Sequence, residues 1–302
     1  MRIASLLPSA TEIVCALGLE EDLVAVTHEC DYPESVRTKP VLTRSVLTEA
    51  GPGAEVDRHI RELVHQGSSI YALDADRLAA LRPDLILTQE LCEVCAVSYP
   101  IVERAARRLE SSTQLVSLEP ESLDDVFQNI VSVGRLVGRQ DAAQEICDRL
   151  RRRIATVGQR VRGRPRPRVV CLEWVDPPYN CGHWTPELVT IAGGEERLGV
   201  TGQPAHPVDW ERVRRVEPEV VVVMACGFSL ERSLREVELA GPRFEGLAAE
   251  LWVVDGNAFF SRPGPRLVDS VEIMAGILHP GAVDPPAATA ARQLRRAASR
   301  RT

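Results

Sequence analysis

Aromatic side chains are scarce in this 302-residue chain: they make up 4% of it, and four are tryptophan. A core with so few rings rests on aliphatic packing, so any place where rings gather needs a reason. A basic excess is also lacking, since the formal net charge is −7. A nucleic-acid binder would carry a basic face. The two arginine clusters, "RRRIATVGQRVRGRPRPR" and "RQLRRAASRR", read as a solvated helix face and a frayed end. No apolar run reaches the length of about 18 residues that a membrane span requires. The start, "MRIASLLPSATEIVCALGLEED", is interrupted by Pro8, Ser9, Thr11 and Glu12, so no secretory signal is read there. A cytoplasmic location is therefore expected, with the eight cysteines reduced. Catalytic motifs are lacking too: no Gly-rich phosphate loop, no G-x-S-x-G and no H-E-x-x-H. The chain reads as non-catalytic, and Asp124–Asp125 need only be a helix start.

What is present is an internal repeat. "DADRLAALRPDLILT" begins at Asp74 and "DWERVRRVEPEVVVV" at Asp209, an offset of 135 residues. Each opens on an Asp suited to a helix N-cap and carries apolar residues at helical spacing (Leu78 and Leu81, then Val213 and Val216). Each then breaks at a proline, Pro83 or Pro218, and runs into four apolar or β-branched residues. Helix, proline stop and buried parallel strand is the physical reading. Further strands are expected near Ile3–Leu7, Val24–Thr27, Gln114–Ser117, Val169–Glu173 and Trp252–Val254. The fold class expected is α/β, with two Rossmann-like lobes, each built on a parallel sheet.

Between the lobes, Val126, Ile130, Val133 and Val137 suit one helix, and Ile146, Leu150, Ile154 and Val157 a second, with Gly138 as the break. The second reads as a long rigid helix joining the lobes. The division expected is 1–138 for the N-terminal lobe, 139–163 for the helix, 164–282 for the C-terminal lobe and 283–302 for a partly mobile tail.

Ligands of parallel α/β sheets bind beyond the carboxyl ends of strands. The loops that follow the expected strands hold a disproportionate share of the rings, thiols and imidazoles. The richest is "LEWVDPPYNCGHWTPELV", residues 172–189, read as too proline-rich for helix or strand. Two lobes facing each other would line a cleft with these loops, and the prolines would hold broad rings ready for a flat ligand.

These residues resemble a known family. "RIASLLPSATEIVCALGLEEDLVAVTHECDYP", "LAALRPDLIL", "DPPYNCGHW…IAGG" and "SRPGPRLVDSVEIM" are similar, in order, to the substrate-binding proteins of cobalamin and ferric-siderophore ABC importers. The resemblance implies two α/β lobes joined by one long helix, and a non-catalytic receptor for cobalamin, a related corrinoid or a metal chelate. It is nearer to the cobalamin branch, in which Phe259 matches an aromatic near the ligand and Arg262 an Arg that can donate to side-chain amides. Ser9, Glu29, Gln89, Glu90, Trp174, Tyr179, His183, Trp184, Phe228, Phe259 and Arg262 are the candidate ligand contacts. Glu29 and Gln89 stand where the exported cobalamin receptors carry rings, so the chain looks more like their cytosolic relatives. Glu93 and Glu231 are candidates for the acids that dock such receptors, but a cytosolic location leaves no transporter to dock on. The partner expected is a small molecule bound by a monomer.

Alternatives stay open at several positions. His183 is either an axial ligand to the metal of a chelate or, by preference, a hydrogen-bonding residue at the ligand. Cys92 and Cys95 form an isolated C-x-x-C. They read as a partial zinc or iron site, completed by Cys181, Cys226 or His183, as a thiol redox pair, or as plain loop cysteines. Ser9 with Glu12 reads as a capping box or as a polar contact at a helix start. Cys15, Cys147 and Cys171 read as small core residues, and His59, His65, His206 and His279 as surface residues.

Overall fold

The computed structural model describes residues 1–47, 51–65, 69–90, 98–107 and 113–295, with only the backbone of 64 and 65. Two compact units emerge. The N-terminal unit holds Met1–Pro120 and Asp124–Cys147, and the C-terminal unit Glu121–Leu123 and Asp148–Thr302.

In the N-terminal unit the elements run β1 (Ile3–Ser5), α1 (Pro8–Ala16), β2 (Leu23–Ala25), β3 (Thr43–Ser45), α2 (Gly53–His65), β4 (Tyr71–Leu73), α3 (Ala75–Leu81), β5 (Leu85–Thr88), α4 (Tyr99–Ala106) and β6 (Gln114–Ser117). Parallel pairing gives the order β2-β1-β5-β6, while β3 and β4 form a separate antiparallel pair. All four residues of β5 are buried, as a strand covered on both faces requires. Leu78 of α3 and Val102 and Ala105 of α4 pack against Ala4, Ala25 and Ile86 of the sheet.

Two helices follow, α5 (Leu123–Leu136) and α6 (Gln140–Val161). Gly138 turns the chain between them at φ +70°. Gly134 lets them approach, since a Cβ there would meet the Ala143 Cβ at 2.4 Å. The 22 residues of α6 make a helix roughly 33 Å long, and the boundary between the units falls within it.

The C-terminal unit continues with β7 (Arg168–Val175), β8 (Pro178–Asn180), α7 (Thr185–Ile191), β9 (Glu195–Glu196), α8 (Trp210–Arg215), β10 (Val220–Val223), α9 (Leu230–Leu239), β11 (Glu250–Val254), α10 (Leu267–Leu278) and β12 (Ala291–Arg295). The sheet order is β12-β11-β10-β7-β8, with β9 also on β7. The centre, β7-β10-β11, is parallel. Arg153 of α6 donates to Glu272 at 2.6 and 2.9 Å and to Asp269 at 2.5 Å, tying α6 to α10.

The internal repeat is structural. Asp74 caps α3 by accepting from the Arg77 N–H at 2.9 Å, and Asp209 caps α8 by accepting from the Arg212 N–H at 2.5 Å. Each helix is followed by a left-handed residue before the proline, Arg82 at φ +43° and Glu217 at φ +46°. Each then reaches a fully buried strand, β5 or β10.

Three expectations change. The stretch at 172–189 is not mere loop: Pro178–Asn180 pairs antiparallel with β7, and α7 starts at Thr185. Proline serves there because β8 lies at the margin of the sheet, where a missing N–H costs nothing. Part of the expected tail is the strand β12, antiparallel to β11, with Ala290 and Ala291 buried. The sheet of this unit is therefore mixed rather than purely parallel.

Candidate functional site

The candidates of the N-terminal unit follow three parallel neighbours, β1, β2 and β5, and so share the carboxyl edge of one sheet. Ser9 is buried within α1. It does not cap the helix: Pro8 occupies the first turn and Leu7 the N-cap position, because a proline without an N–H is at home at the first helical position. Glu29 lies 3.4 Å from His28 Nε2. His28 is itself anchored in the unit, its Nδ1 2.7 Å from Thr43 Oγ1 and its ring 5.4 Å from Tyr71. Gln89 is buried. Glu90 is exposed, and its N–H donates to Glu119 Oε1 at 2.7 Å. Cys92, Cys95 and Glu93 lie outside the described residues.

The C-terminal unit gathers its candidates at the carboxyl end of β7, in β8 and on the loops after β8, β10 and β11, and contacts link β7 with the last two loops. The Trp174 ring lies 4.7 Å from that of Phe228. The Arg232 guanidinium stands 3.8 Å over Phe228, a cation–π contact. Asn257 donates its N–H to the Phe228 carbonyl at 3.1 Å and accepts from Arg262 Nη2 at 3.2 Å. Phe259 is half-buried in a single π turn, Gly256–Phe260, with the Arg266 guanidinium 5.7 Å from its ring centre. Tyr179 sits in β8, half-buried. Among the described residues Trp174 Nε1 is buried without a hydrogen-bond partner, a donor left at a cost of about 1–3 kcal/mol. Arg232 and Asn257 belong to this cluster, yet nothing in the sequence separates them from other polar residues.

His183 is held in an uncommon conformation. Its φ is +49°, in the left-handed region that few non-glycine residues adopt. Two backbone hydrogen bonds fix it there, from the His183 N–H to the Gln203 carbonyl at 2.7 Å and from the Gly202 N–H to the His183 carbonyl at 3.0 Å. Gly182 makes the approach possible, since a Cβ there would meet the Ala205 nitrogen at 2.4 Å and the Gln203 oxygen at 2.6 Å. The imidazole stacks on Trp184 at 5.6 Å, and among the described residues its buried Nδ1 has no partner. Burial lowers the His183 pKa, partly offset by Glu121. A strained residue kept by its surroundings is a functional candidate.

Several candidates are buried. Trp184 is buried, and its indole N–H donates to the Phe260 carbonyl at 2.9 Å, so its polar end is already used. Phe228 and Arg262 are also buried, at 6% and 3% exposure, and Arg262 holds Asn257 from beneath the surface. His279, read as a surface residue, is an interior one: it is 5% exposed, and its Nε2 lies 3.2 Å from the Gly193 carbonyl. Among the cysteines, Cys147 and Cys171 are core residues as expected, whereas Cys15 is partly exposed.

Two α/β units, with polar candidates at the carboxyl edge of one parallel sheet and polar and ring-bearing ones at that of the other, are the architecture of a substrate-binding protein. The chain belongs to the periplasmic binding protein family, whose profile matches residues 3–249. It is 26% identical over 232 residues to a vitamin B12-binding protein of Yersinia pseudotuberculosis, covering 74% of this chain and 69% of that one. The corresponding Yersinia pestis protein is 25% identical over the same shares. Among solved structures it is similar to a periplasmic heme binding protein from Pseudomonas aeruginosa (TM-score 0.72, 19% identity, 98% of this chain and 99% of that one). It is also similar to the periplasmic vitamin B12 binding protein BtuF of Vibrio cholerae (TM-score 0.65, 19% identity, 92% and 96%). Membership overturns the expectation that a transporter plays no part, because delivery to ABC permeases is this family's role.

Proposed function

We propose that this chain is a non-catalytic receptor for cobalamin or a related corrinoid and hands it to an ABC importer. The observation that carries the reading is the Trp174–Phe228–Asn257–Arg262 cluster, built from the end of β7 and the loops after β10 and β11 on one sheet edge. A corrin is a broad, largely apolar macrocycle rimmed by amides. Rings take its face, and anchored polar groups take the rim. The unpartnered Trp174 N–H is a donor for one such amide. The vitamin B12-binding relatives, similar over three quarters of the chain, point the same way.

His183 takes part by contact rather than by axial ligation. A metal-bound imidazole almost always donates its other N–H to a second group, and His183 Nδ1 has no such partner among the described residues. Exposed Glu231, in the first turn of α9, is a candidate for docking on transporter arginines.

Titration of the purified chain with hydroxocobalamin and, separately, with hemin tests this reading. Saturable binding of the corrinoid with its visible bands unshifted is the expected result. Shifted bands abolished by His183→Ala would restore axial ligation. Binding of hemin but not of the corrinoid would move the receptor to the haem side of its family.

A further inference from the structure

A second constellation lies inside the C-terminal unit. On one side of β7 the partner strand changes along its length. β9 pairs with Arg168 and Val169, and β8 takes over from Leu172. At the change, the Cys171 N–H meets no strand on that side and donates to Glu196 Oε2 at 3.0 Å. Glu196 Oε1 accepts from the N–H groups of Leu198 and Gly199 at 2.9 and 3.1 Å. The carboxylate is thus oriented by three backbone donors. Cys181 directly follows β8, and the Leu172–Asn180 register sets it opposite Cys171. The two Sγ atoms and a Glu196 carboxylate oxygen lie within 4.8 Å of one another. Both cysteines are fully buried. Gly199 closes the place tightly, since a Cβ there would meet Cys181 Sγ at 2.6 Å.

We propose that Cys171, Cys181 and Glu196 form a site for one thiophilic divalent cation, with zinc(II) the best chemical fit. Two sulfurs and a carboxylate are a donor set that suits zinc and disfavours magnesium or calcium, which take oxygen shells. Three N–H groups fixing Glu196 are the outer support such sites use. Glu173 follows Cys171 on the same face of β7, with its Oε1 held by the Gly182 N–H at 2.9 Å. Its carboxylate is thus engaged by backbone, and water completes the fourth position of a tetrahedral site whose three protein ligands are Cys171, Cys181 and Glu196. On binding, each thiol loses its proton to solvent, two S–H bonds are replaced by two metal–sulfur bonds, and no electrons change hands. Without a cation, two thiols and a carboxylate are packed together with like charges in prospect, an arrangement a dication offsets. The site uses none of the residues of the Trp174–Phe228–Asn257–Arg262 cluster, and it joins β7, the residue after β8, and β9.

Cobalt(II) serves as the probe, with the full chain carrying Cys92→Ser and Cys95→Ser, stripped with chelator and kept reduced. The expected result is one cobalt per chain, a thiolate-to-cobalt charge-transfer band, tetrahedral d–d bands, release of two protons and displacement by zinc. Cys181→Ser should remove at least half of the charge-transfer intensity. Glu196→Gln, which keeps an oxygen for the backbone donors, should weaken binding tenfold or more. Should the cysteine variants fail to fold, zinc protection of Cys171 and Cys181 from alkylation, read by peptide mass, decides the question in the unaltered pair. No charge-transfer band, a band unchanged by Cys181→Ser, alkylation indifferent to zinc, or a chain isolated with Cys171 and Cys181 joined as a disulfide would overturn the proposal.

Discussion

The carboxylate of Glu196 stands in for a strand beside Cys171, accepting its backbone N–H at 3.0 Å where β9 has ended and β8 has not begun. A side chain thereby completes the sheet. Removing it strands the N–H groups of Cys171, Leu198 and Gly199 together. With each orphaned donor costing about 1–3 kcal/mol and water reaching some of them, Glu196→Ala should destabilise the metal-free protein by about 3 kcal/mol. Glu196→Gln, which retains an acceptor, should cost about 1 kcal/mol. Denaturant midpoints in the presence of chelator measure both, and equal losses would show that the carboxylate is not the strand substitute described.

Gly182 is the second pressure point. Its missing Cβ leaves room for backbone atoms of Gln203 and Ala205 at 2.6 and 2.4 Å, and backbone yields less than a side chain does. Gly182→Ala should cost about 3 kcal/mol, the upper range for overpacking. It should also displace His183 and weaken ligand binding. A thermal melt and a ligand titration on the same preparation check this, and a variant normal in both would contradict it.

His183 itself offers the opposite trade. A left-handed L-residue carries a penalty of about 1 kcal/mol that glycine does not, reduced by the extra freedom glycine has when unfolded. His183→Gly should therefore leave the protein as stable as before, or more stable by about 0.5 kcal/mol. Corrinoid affinity should fall. A stabilised variant with intact affinity would remove His183 from the site.

His279 gives the fold a pH dependence. Burial keeps its pKa below the usual histidine value, against a pull upward from the Gly193 carbonyl. The unfolded chain then takes up the proton at a higher pH than the native one. Its share of stability is complete above about pH 6.5 and is lost as the pH falls through the lowered native value. His279→Gln should flatten the acid limb of a stability–pH profile below about 6.5. An unchanged limb would show that His279 is protonated in the native protein without penalty.

Much of the fold is legible in the residues. Asp74 and Asp209 announce helix starts, and Pro83 and Pro218 announce the stops. The even apolar content of Leu85–Thr88 and Val220–Val223 marks central strands, because burial on both faces erases alternation. Strand β8 escapes notice because Pro178 and Tyr179 lie where proline usually breaks a sheet, and only the margin of the sheet tolerates it. Strand β12 escapes because "ARQLR" reads as a polar frayed end until β11 offers it a partner. In the candidate site, the rings of the post-strand loops are visible in the sequence, but not which of them are already used. Trp184 spends its N–H on Phe260, whereas Trp174 keeps its own unspent. The Cys171–Cys181–Glu196 grouping depends on cross-strand register and on a strand break, neither of which spacing along the chain reveals.

Isothermal titration of the purified chain with hydroxocobalamin, run beside Trp174→Ala, tests the receptor reading most directly. The account predicts one corrinoid per chain at a Kd on the order of micromolar or tighter, weakened about tenfold or more when the Trp174 ring and its N–H are removed. No saturable heat with the corrinoid, or an affinity indifferent to Trp174, would contradict it.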